Sequence, residues 1–553
     1  MGRRIALVCA AALAAAAVAQ QVVIAVGGGG WLPGRQPWPY LLAAVPLWLL
    51  AGRPRPTRVW RPPAWPTRTP PWALLLGVLG LATAVWAALQ DHEPYLGHEE
   101  AVYANKARFW LDGTPDAGWG TYRPPGLPAL GLLALHVHDG VGALRVLALL
   151  LALSTLTATY LVAARWTTPR RAVVVVLLLL SGLGFLRRMP EFLTDVAATG
   201  LLVVVVYLLT RVQERAADAR AVRTALLALP CVVLAAFHLR YGITGNLLAI
   251  TLAALAAYGP RAWLAHGRTL LAALGILLAG LLPHLLYATH LTGRPLGLVL
   301  SATDQANRAY VGDGLVYYLL IFPYRLAGDL GAVVMTAGLV AAASTLGALR
   351  RRRDLSARDR RPVFLAATAL LTFVVLGLAT DGEPRFVYLP VVLLTVLGVQ
   401  TLAERSGRHR PAVLGALGAL ALVTVPATVQ AVAHGAMPAP TRQAHSTLPV
   451  ARALASDGRP CLLVTGYEPE SGWYSGCDAV TYRQYRALAA PPPGTAVSLI
   501  TYERGRLQPD AAELAALTEG HRTETRVIPT DGTLGAATVI TLRSEPTTSD
   551  ATK

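Results

Sequence analysis

Thirteen stretches of this 553-residue chain are apolar over lengths that cross, or nearly cross, a lipid bilayer: near 5–26, 38–52, 72–90, 141–164, 171–187, 191–211, 223–239, 243–258, 268–289, 329–349, 362–380, 386–403 and 411–433. Hydrocarbon leaves such stretches little choice of fold. Backbone N–H and C=O groups find no water there, so each run has to close its own hydrogen bonds as a helix. Composition points the same way: 54% of residues are hydrophobic and 14% charged, and mean hydropathy is +0.47. An ordinary soluble globule is excluded. The expectation is an all-α polytopic membrane protein of about 13 transmembrane helices, two of which (38–52 and 243–258) are short for a crossing. The opening GRR, an Ala-rich run and AVAQ together have the form of a signal peptide, but the apolar run continues to Val26, which favours a retained helix.

The net charge of +18 comes from arginine, because Lys106 and Lys553 are the only lysines. These arginines cluster in short loops: RPRPTRVWR (53–61), RWTTPRR (165–171), RVQERAADARAVR (211–223), RRRRDLSARDRR (350–361) and ERSGRHR (404–410). Nucleic-acid binding is therefore not the reading; positive loops mark the cytoplasmic side. With the N-terminus inside, all five loops fall on that side. The loop 91–140, the 290–328 loop, DGEPRF and everything beyond about 434 then fall outside. This parity requires that PPGLPALGLLALHVH (124–138) does not cross.

From 434 to 553 the composition becomes that of a soluble domain. CLLVTGY (461–467), AVSLITY (496–502), TETRVIP (523–529) and ATVITLR (537–543) read as strands, and PVARALAS and PDAAELAALTE as helices. The expectation is a small extracytoplasmic α/β domain with a disordered tail, following a transmembrane domain of 1–433. Cys461 and Cys477, 16 apart, are candidates for a disulfide, which needs an oxidising compartment.

The loop 91–140 carries the chemistry. DHEPYLGHEEAVYANKARFWLDG…TYRPPGLPAL holds six carboxylates: Asp91, Glu93, Glu99, Glu100, Asp112 and Asp116. A helix from about Glu99 to Leu111 puts Glu99, Tyr103 and Lys106 on one face at i, i+4, i+7. A carboxylate at the start of such a helix can accept a proton from a hydroxyl, or hold a divalent cation against a phosphate. An amphipathic interfacial helix, with acids at its N-terminus for the dipole, explains the same spacing. No His or Cys spacing marks a dedicated metal cage, and no Walker or dinucleotide glycine pattern occurs; GGGG at 27–30 reads as a loop.

An acid-Glu-x-x-Tyr-Ala order, a short helix, an aromatic-basic stretch and a Pro-containing elbow resemble the first periplasmic loop of GT-C glycosyltransferases. The likeness is strongest to the protein O-mannosyltransferase and lipid A aminoarabinose transferase superfamily. Those enzymes carry Asp-Glu here, the Asp being catalytic. The matching pair in this chain is Glu99-Glu100, followed by Tyr103, Tyr122 and Pro124-Pro125, with Asp91 and Glu93 as the fallback pair. Glu99 replaces the family's Asp, one methylene longer. RRMPEFLTDVAATGLLVVVVYLLTR resembles a family helix that is polar outside and ends in arginine inside. DGEPRFVYLP (381–390) is similar to the family's Glu-x-Arg-Phe/Tyr signature, which implies Arg385 at the donor phosphate.

The resemblance implies an inverting hexosyl- or pentosyltransferase of the cell membrane. It would move a sugar from a polyprenyl-phosphate carrier to an acceptor at the outer face, with no nucleic-acid partner. Glu99, with Glu100 beside it, is the expected catalytic acid pair. Arg385, Lys106, Arg123 and Arg240 are the expected phosphate-binding residues, and Tyr103, Tyr122 and Pro125 line the substrate loop. No cofactor is required by the reading, and a divalent cation on Glu99 stays open. A transporter or flippase, or a non-catalytic envelope scaffold, are the rival readings. The first predicts ionisable groups near the bilayer midplane, and runs such as VVVVLLLL carry none.

Overall fold

The computed structural model describes residues 2–25, 38–51, 69–92, 95–304, 309–321, 324–349, 356–433, 440–455, 458–488, 491 and 494–543. Among the described residues, nine helices are long and apolar enough to cross a membrane, from Pro71–Gln90 through Gly407–Pro426. The other four apolar windows take different forms. The first lies in helix Gly2–Ala25 and the second in the 14-residue helix Trp38–Ala51. Window 171–187 divides at Gly182, whose extended backbone (φ −73°, ψ 128°) ends helix Pro169–Ser181 and starts Leu183–Arg188. Window 243–258 becomes the 16-residue helix Ile243–Tyr258. The apolar run within 124–138 forms helix Gly126–Val137. At 1.5 Å per residue its 12 residues reach about 18 Å, short of the ~30 Å hydrocarbon core.

Compactness groups the chain into two units. One comprises 1–86, 150–189 and 194–430; the other comprises 87–149, 190–193 and 431–553. The loop 91–140 is thus part of the same compact body as the C-terminal residues, a grouping that chain order conceals.

In the membrane unit, helices start where the arginine-rich loops supply caps. The side chains of Thr168, Asp218 and Ser356 accept hydrogen bonds from the N–H groups of Arg171, Ala221 and Asp359. Helices Tyr324–Leu349 and Tyr388–Arg405 approach through reciprocal glycines. Gly338 lies against the Leu394 carbonyl and Gly398 against the Val334 carbonyl, and neither site has room for a Cβ. Close approach of small residues is how helices gain dispersion contact where lipid removes the hydrophobic drive.

The second unit has a five-stranded sheet of order β2-β1-β3-β5-β4, formed by β1 (Cys461–Val464), β2 (Asp478–Val480), β3 (Ala496–Tyr502), β4 (Arg522–Ile528) and β5 (Ala537–Arg543). β1 pairs parallel to β2 and β3, while β5 runs antiparallel to β3 and to β4. Alternation along β1 sends Leu463 to one core with Tyr467, Ile500, Tyr502 and Val539. Leu462 and Val464 go to the other, with Val497, Leu499 and Tyr482. Four strands overlap the segments that read as strands in the sequence. The three-residue β2 does not show in the sequence, being too short to display a period. Cys461 and Cys477 are disulfide-bonded, tying the start of β1 to the residue before β2.

Candidate functional site

Helix His98–Asp112 forms because Glu99 and Glu100 in its first turn suit the positive end of the dipole. It stops because Gly113 takes the left-handed conformation (φ 82°) and returns its N–H to the Phe109 carbonyl. Its inner face is mostly small (Ala101, Ala104, Ala107), with Asn105 fully buried; the Asn105 amide donates to the carbonyls of Ala117 (3.0 Å) and Pro469 (2.8 Å).

The two acids of the pair have opposite surroundings. Glu100 is 4% exposed. One oxygen accepts from Arg145 Nη2 at 2.9 Å and the Gly97 N–H at 3.4 Å; the other accepts from the Phe192 N–H at 2.6 Å. Arg145, 2% exposed, also donates to the carbonyls of Pro190 and Tyr95, each at 2.7 Å. Burial pushes the Glu100 carboxyl up to about 7, with Glu191 adding to the rise and Arg145 and the backbone donors opposing it. Both oxygens of Glu100 are thereby used in holding the loop.

Glu99 faces outward, with 42% of its side chain exposed and Oε2 3.9 Å from Arg123 Nη1. The Arg123 guanidinium lies 5.5 Å from the Tyr103 ring centre and 5.3 Å from that of Tyr122, and Trp119 meets Tyr103 edge-on at 6.2 Å. Pro125 directly precedes helix Gly126–Val137. The structure therefore brings Glu99, Tyr103, Tyr122 and Arg123 together. Lys106 is engaged elsewhere. Its Nζ is 2.7 Å from Asp116 and 4.5 Å from the Phe109 ring centre, with Trp110 and Trp119 also within cation–π range.

In the membrane unit, the residues expected at a phosphate form a second group. Arg240 pairs with Asp195 and Arg385 with Glu383. Both guanidiniums lie against Phe386, at 4.7 and 5.7 Å, and Tyr318 donates to the Glu383 carbonyl at 3.2 Å. Pro384 opens the short 3₁₀ turn Pro384–Val387 that carries Arg385 to the mouth of helix Tyr388–Arg405. Each arginine already has a carboxylate partner, so a phosphate here would have to share it.

The side chains of the fallback pair Asp91 and Glu93 lie outside the described residues. Among the described residues, no group of three or more His, Cys, Asp or Glu side chains is placed to hold a metal ion. Sequence reasoning misses Arg145, a single arginine inside an apolar window, and it misses the partners that the C-terminal residues give to the loop. Trp473 and Tyr474 stand between the cysteines, where the sequence favours packing in the small domain over stacking on a sugar. In the structure the Arg108 guanidinium lies 4.1 Å over Trp473, and Tyr474 stacks on Tyr95 at 5.3 Å.

No protein-family model matches the chain, and no curated protein sequence matches it significantly. Solved structures do. ArnT from Cupriavidus metallidurans bound to undecaprenyl phosphate superposes with a TM-score of 0.62 at 15% identity, over 85% of this chain and 98% of that one. The apo form of the same protein gives 0.63 at 14%, over 85% and 97%. At these identities the likeness is one of fold: the chain has the GT-C fold, in its ArnT-like form.

Proposed function

We propose that the chain is a GT-C glycosyltransferase that moves a sugar from a polyprenyl-phosphate carrier to an acceptor hydroxyl at the outer face of the cell membrane. One observation carries the reading beyond fold. Of the two adjacent acids at the helix start, Glu100 is consumed by Arg145 and backbone donors, while Glu99 is presented to solvent beside Arg123 and two tyrosines. The ArnT structure with bound undecaprenyl phosphate supports the carrier class. The Cys461–Cys477 disulfide supports an oxidising compartment for the α/β domain, in agreement with the arginine count.

In the proposed step, Glu99 takes the proton of the acceptor hydroxyl as its oxygen attacks the anomeric carbon. The bond from that carbon to the phosphate oxygen breaks, and the configuration inverts. Arg385 stabilises the charge gathered on the departing polyprenyl phosphate, with Arg240 and Arg123 as further donors. Lys106, like Arg240 and Arg385, already has a carboxylate partner and an aromatic neighbour, and would share its charge with a phosphate.

The test uses full-length protein in nanodiscs, a panel of radiolabelled undecaprenyl- and decaprenyl-phosphate hexoses and pentoses, and membrane extract as acceptor. Wild type is expected to consume one donor. Glu99→Gln should lose at least ~10²-fold in rate, the usual contribution of a general base, with an unchanged melting temperature. A fully active Glu99→Gln variant refutes the assignment of the base. Parallel assays with a chelator report whether a divalent cation takes part.

A further inference from the structure

His98 is the first residue of helix His98–Asp112, one position before Glu99. Two side chains from the C-terminal sheet region converge on its Nδ1. Glu470, on the helix that follows β1, places Oε2 at 3.1 Å; Arg506, in the turn that follows β3, places Nη2 at 2.8 Å. β1 and β3 are parallel neighbours, so their carboxyl ends lie side by side, and residues just beyond each can meet at one atom.

Both partners are themselves held. The Glu470 side chain is fully buried, and its other oxygen accepts from Gln443 Nε2 at 2.6 Å. Arg506 Nε donates to the Gly466 carbonyl at 2.9 Å, its backbone N–H donates to the Tyr467 hydroxyl at 3.3 Å, and its guanidinium lies 4.9 Å from the Tyr467 ring centre. Gly466 leaves no room for a Cβ against the Arg506 carbonyl, which fixes the close approach of the two segments.

One ring nitrogen thus has an acceptor on one side and a donor on the other. Carrying a proton, Nδ1 donates to Glu470; without one, it accepts from Arg506. The imidazole is anchored in either tautomer. Glu100, two residues on, is anchored by Arg145. The exposed Glu99 is therefore bracketed by two fixed side chains. Just upstream, the Tyr95 hydroxyl bonds Thr447 Oγ1 (2.8 Å) and the Leu96 N–H donates to the Tyr474 hydroxyl (2.8 Å), so the segment entering the helix is held from the same side.

We infer that His98 is a positioning residue for Glu99, through which Glu470 and Arg506 of the C-terminal α/β domain fix the first helical turn from which Glu99 acts. This rests on the proposed role of Glu99. A base displaced by a fraction of an ångström loses rate without losing substrate. The predicted signature is a fall in kcat with KM for the donor unchanged.

The test measures kcat and KM with the panel donor that wild type turns over fastest, in nanodiscs, for His98→Ala, His98→Gln, His98→Asn and Arg506→Ala. Asparagine puts an amide, donor and acceptor both, near the place of Nδ1; glutamine puts it near the place of Nε2. His98→Ala and His98→Gln should lose roughly tenfold in kcat, with KM within about twofold. His98→Asn should recover most of the rate. Arg506 is exposed and its removal leaves the core intact, so Arg506→Ala keeps the test decisive if His98→Ala misfolds; its kcat should fall several-fold. Wild-type kcat in His98→Ala and Arg506→Ala overturns the inference, as does an asparagine variant no better than the glutamine one. Glu99→Gln is run alongside. If it is inactive while the His98 and Arg506 variants are normal, only the positioning fails; if it is active, the role of Glu99 fails.

Discussion

In the membrane unit, the buried hydroxyls of Thr336, Thr372 and Thr395 each donate to the carbonyl four residues back in their own helix, at 2.7–2.8 Å. In the loop-and-sheet unit, Tyr95, His98, Asn105 and Arg108 each have a partner 352 to 408 residues further along the chain. The difference follows from the solvent. A helix destined for hydrocarbon has to be self-sufficient in hydrogen bonds before it meets any neighbour. A loop outside the hydrocarbon can leave polar groups open until a distant segment closes them. These threonine hydroxyls thus tolerate independent change, whereas the pairings named in the other unit fail together.

Breaking the buried ion pair is the severest test of that contrast. Glu100→Leu removes the carboxylate to which the buried Arg145 Nη2 donates at 2.9 Å, and arginine has no neutral form to retreat to. The loss should be about 3–5 kcal/mol, read as a lowered melting temperature and early proteolysis of the 87–149 segment. Arg145→Met should cost less, because Glu100 can take up a proton. The sign of its pH dependence follows. The folded-state carboxyl sits above its unfolded value of 4.5, so the folded state holds the proton more tightly, and the associated stability is lost as pH rises through about 7. Removing Arg145 takes away the strongest opposing pull, so this variant should melt lower at pH 8 than at pH 5 by a wider margin than wild type. A negligible loss in both variants would show that the pair is interchangeable with an apolar contact.

Next in size is the disulfide. Its two cysteines are 16 apart, and closing a loop of that size is worth about 3 kcal/mol. Cys461→Ser with Cys477→Ser, or treatment with reductant, should destabilise the α/β domain while the helical circular dichroism of the membrane unit is retained. Simultaneous loss of both signals would mean the two units do not melt separately.

The smallest effect belongs to the membrane helices. Thr372→Val removes a hydroxyl whose acceptor carbonyl keeps its helical partner, so the change should stay below about 1 kcal/mol. A loss as large as that of Glu100→Leu would erase the distinction between the two regions.

How much could be read in advance divides along the same line. Arginine-rich loops, caps such as Thr168, Asp218 and Ser356, and the 3.6-residue closure of each apolar run are local properties, and the helices fall where the windows put them except at 171–187, which Gly182 divides. The strands of the sheet, apart from the three-residue β2, overlap segments legible as strands between turn signals. The pair Glu99-Glu100 was legible as a pair of acids at a helix start. Which of the two faces outward was not, because the answer lies in Arg145, 45 residues away, and in the Phe192 N–H. His98 carried no signal at all, since Glu470 and Arg506 reach it only after β1 and β3 have paired. Sequence by itself determined what short-range physics enforces: helices in lipid, charge on the loops, strands with two faces. The tertiary structure decided which carboxylate is buried against Arg145 and which faces outward, because burial and partner geometry at Glu100 depend on residues 45 and 92 positions away.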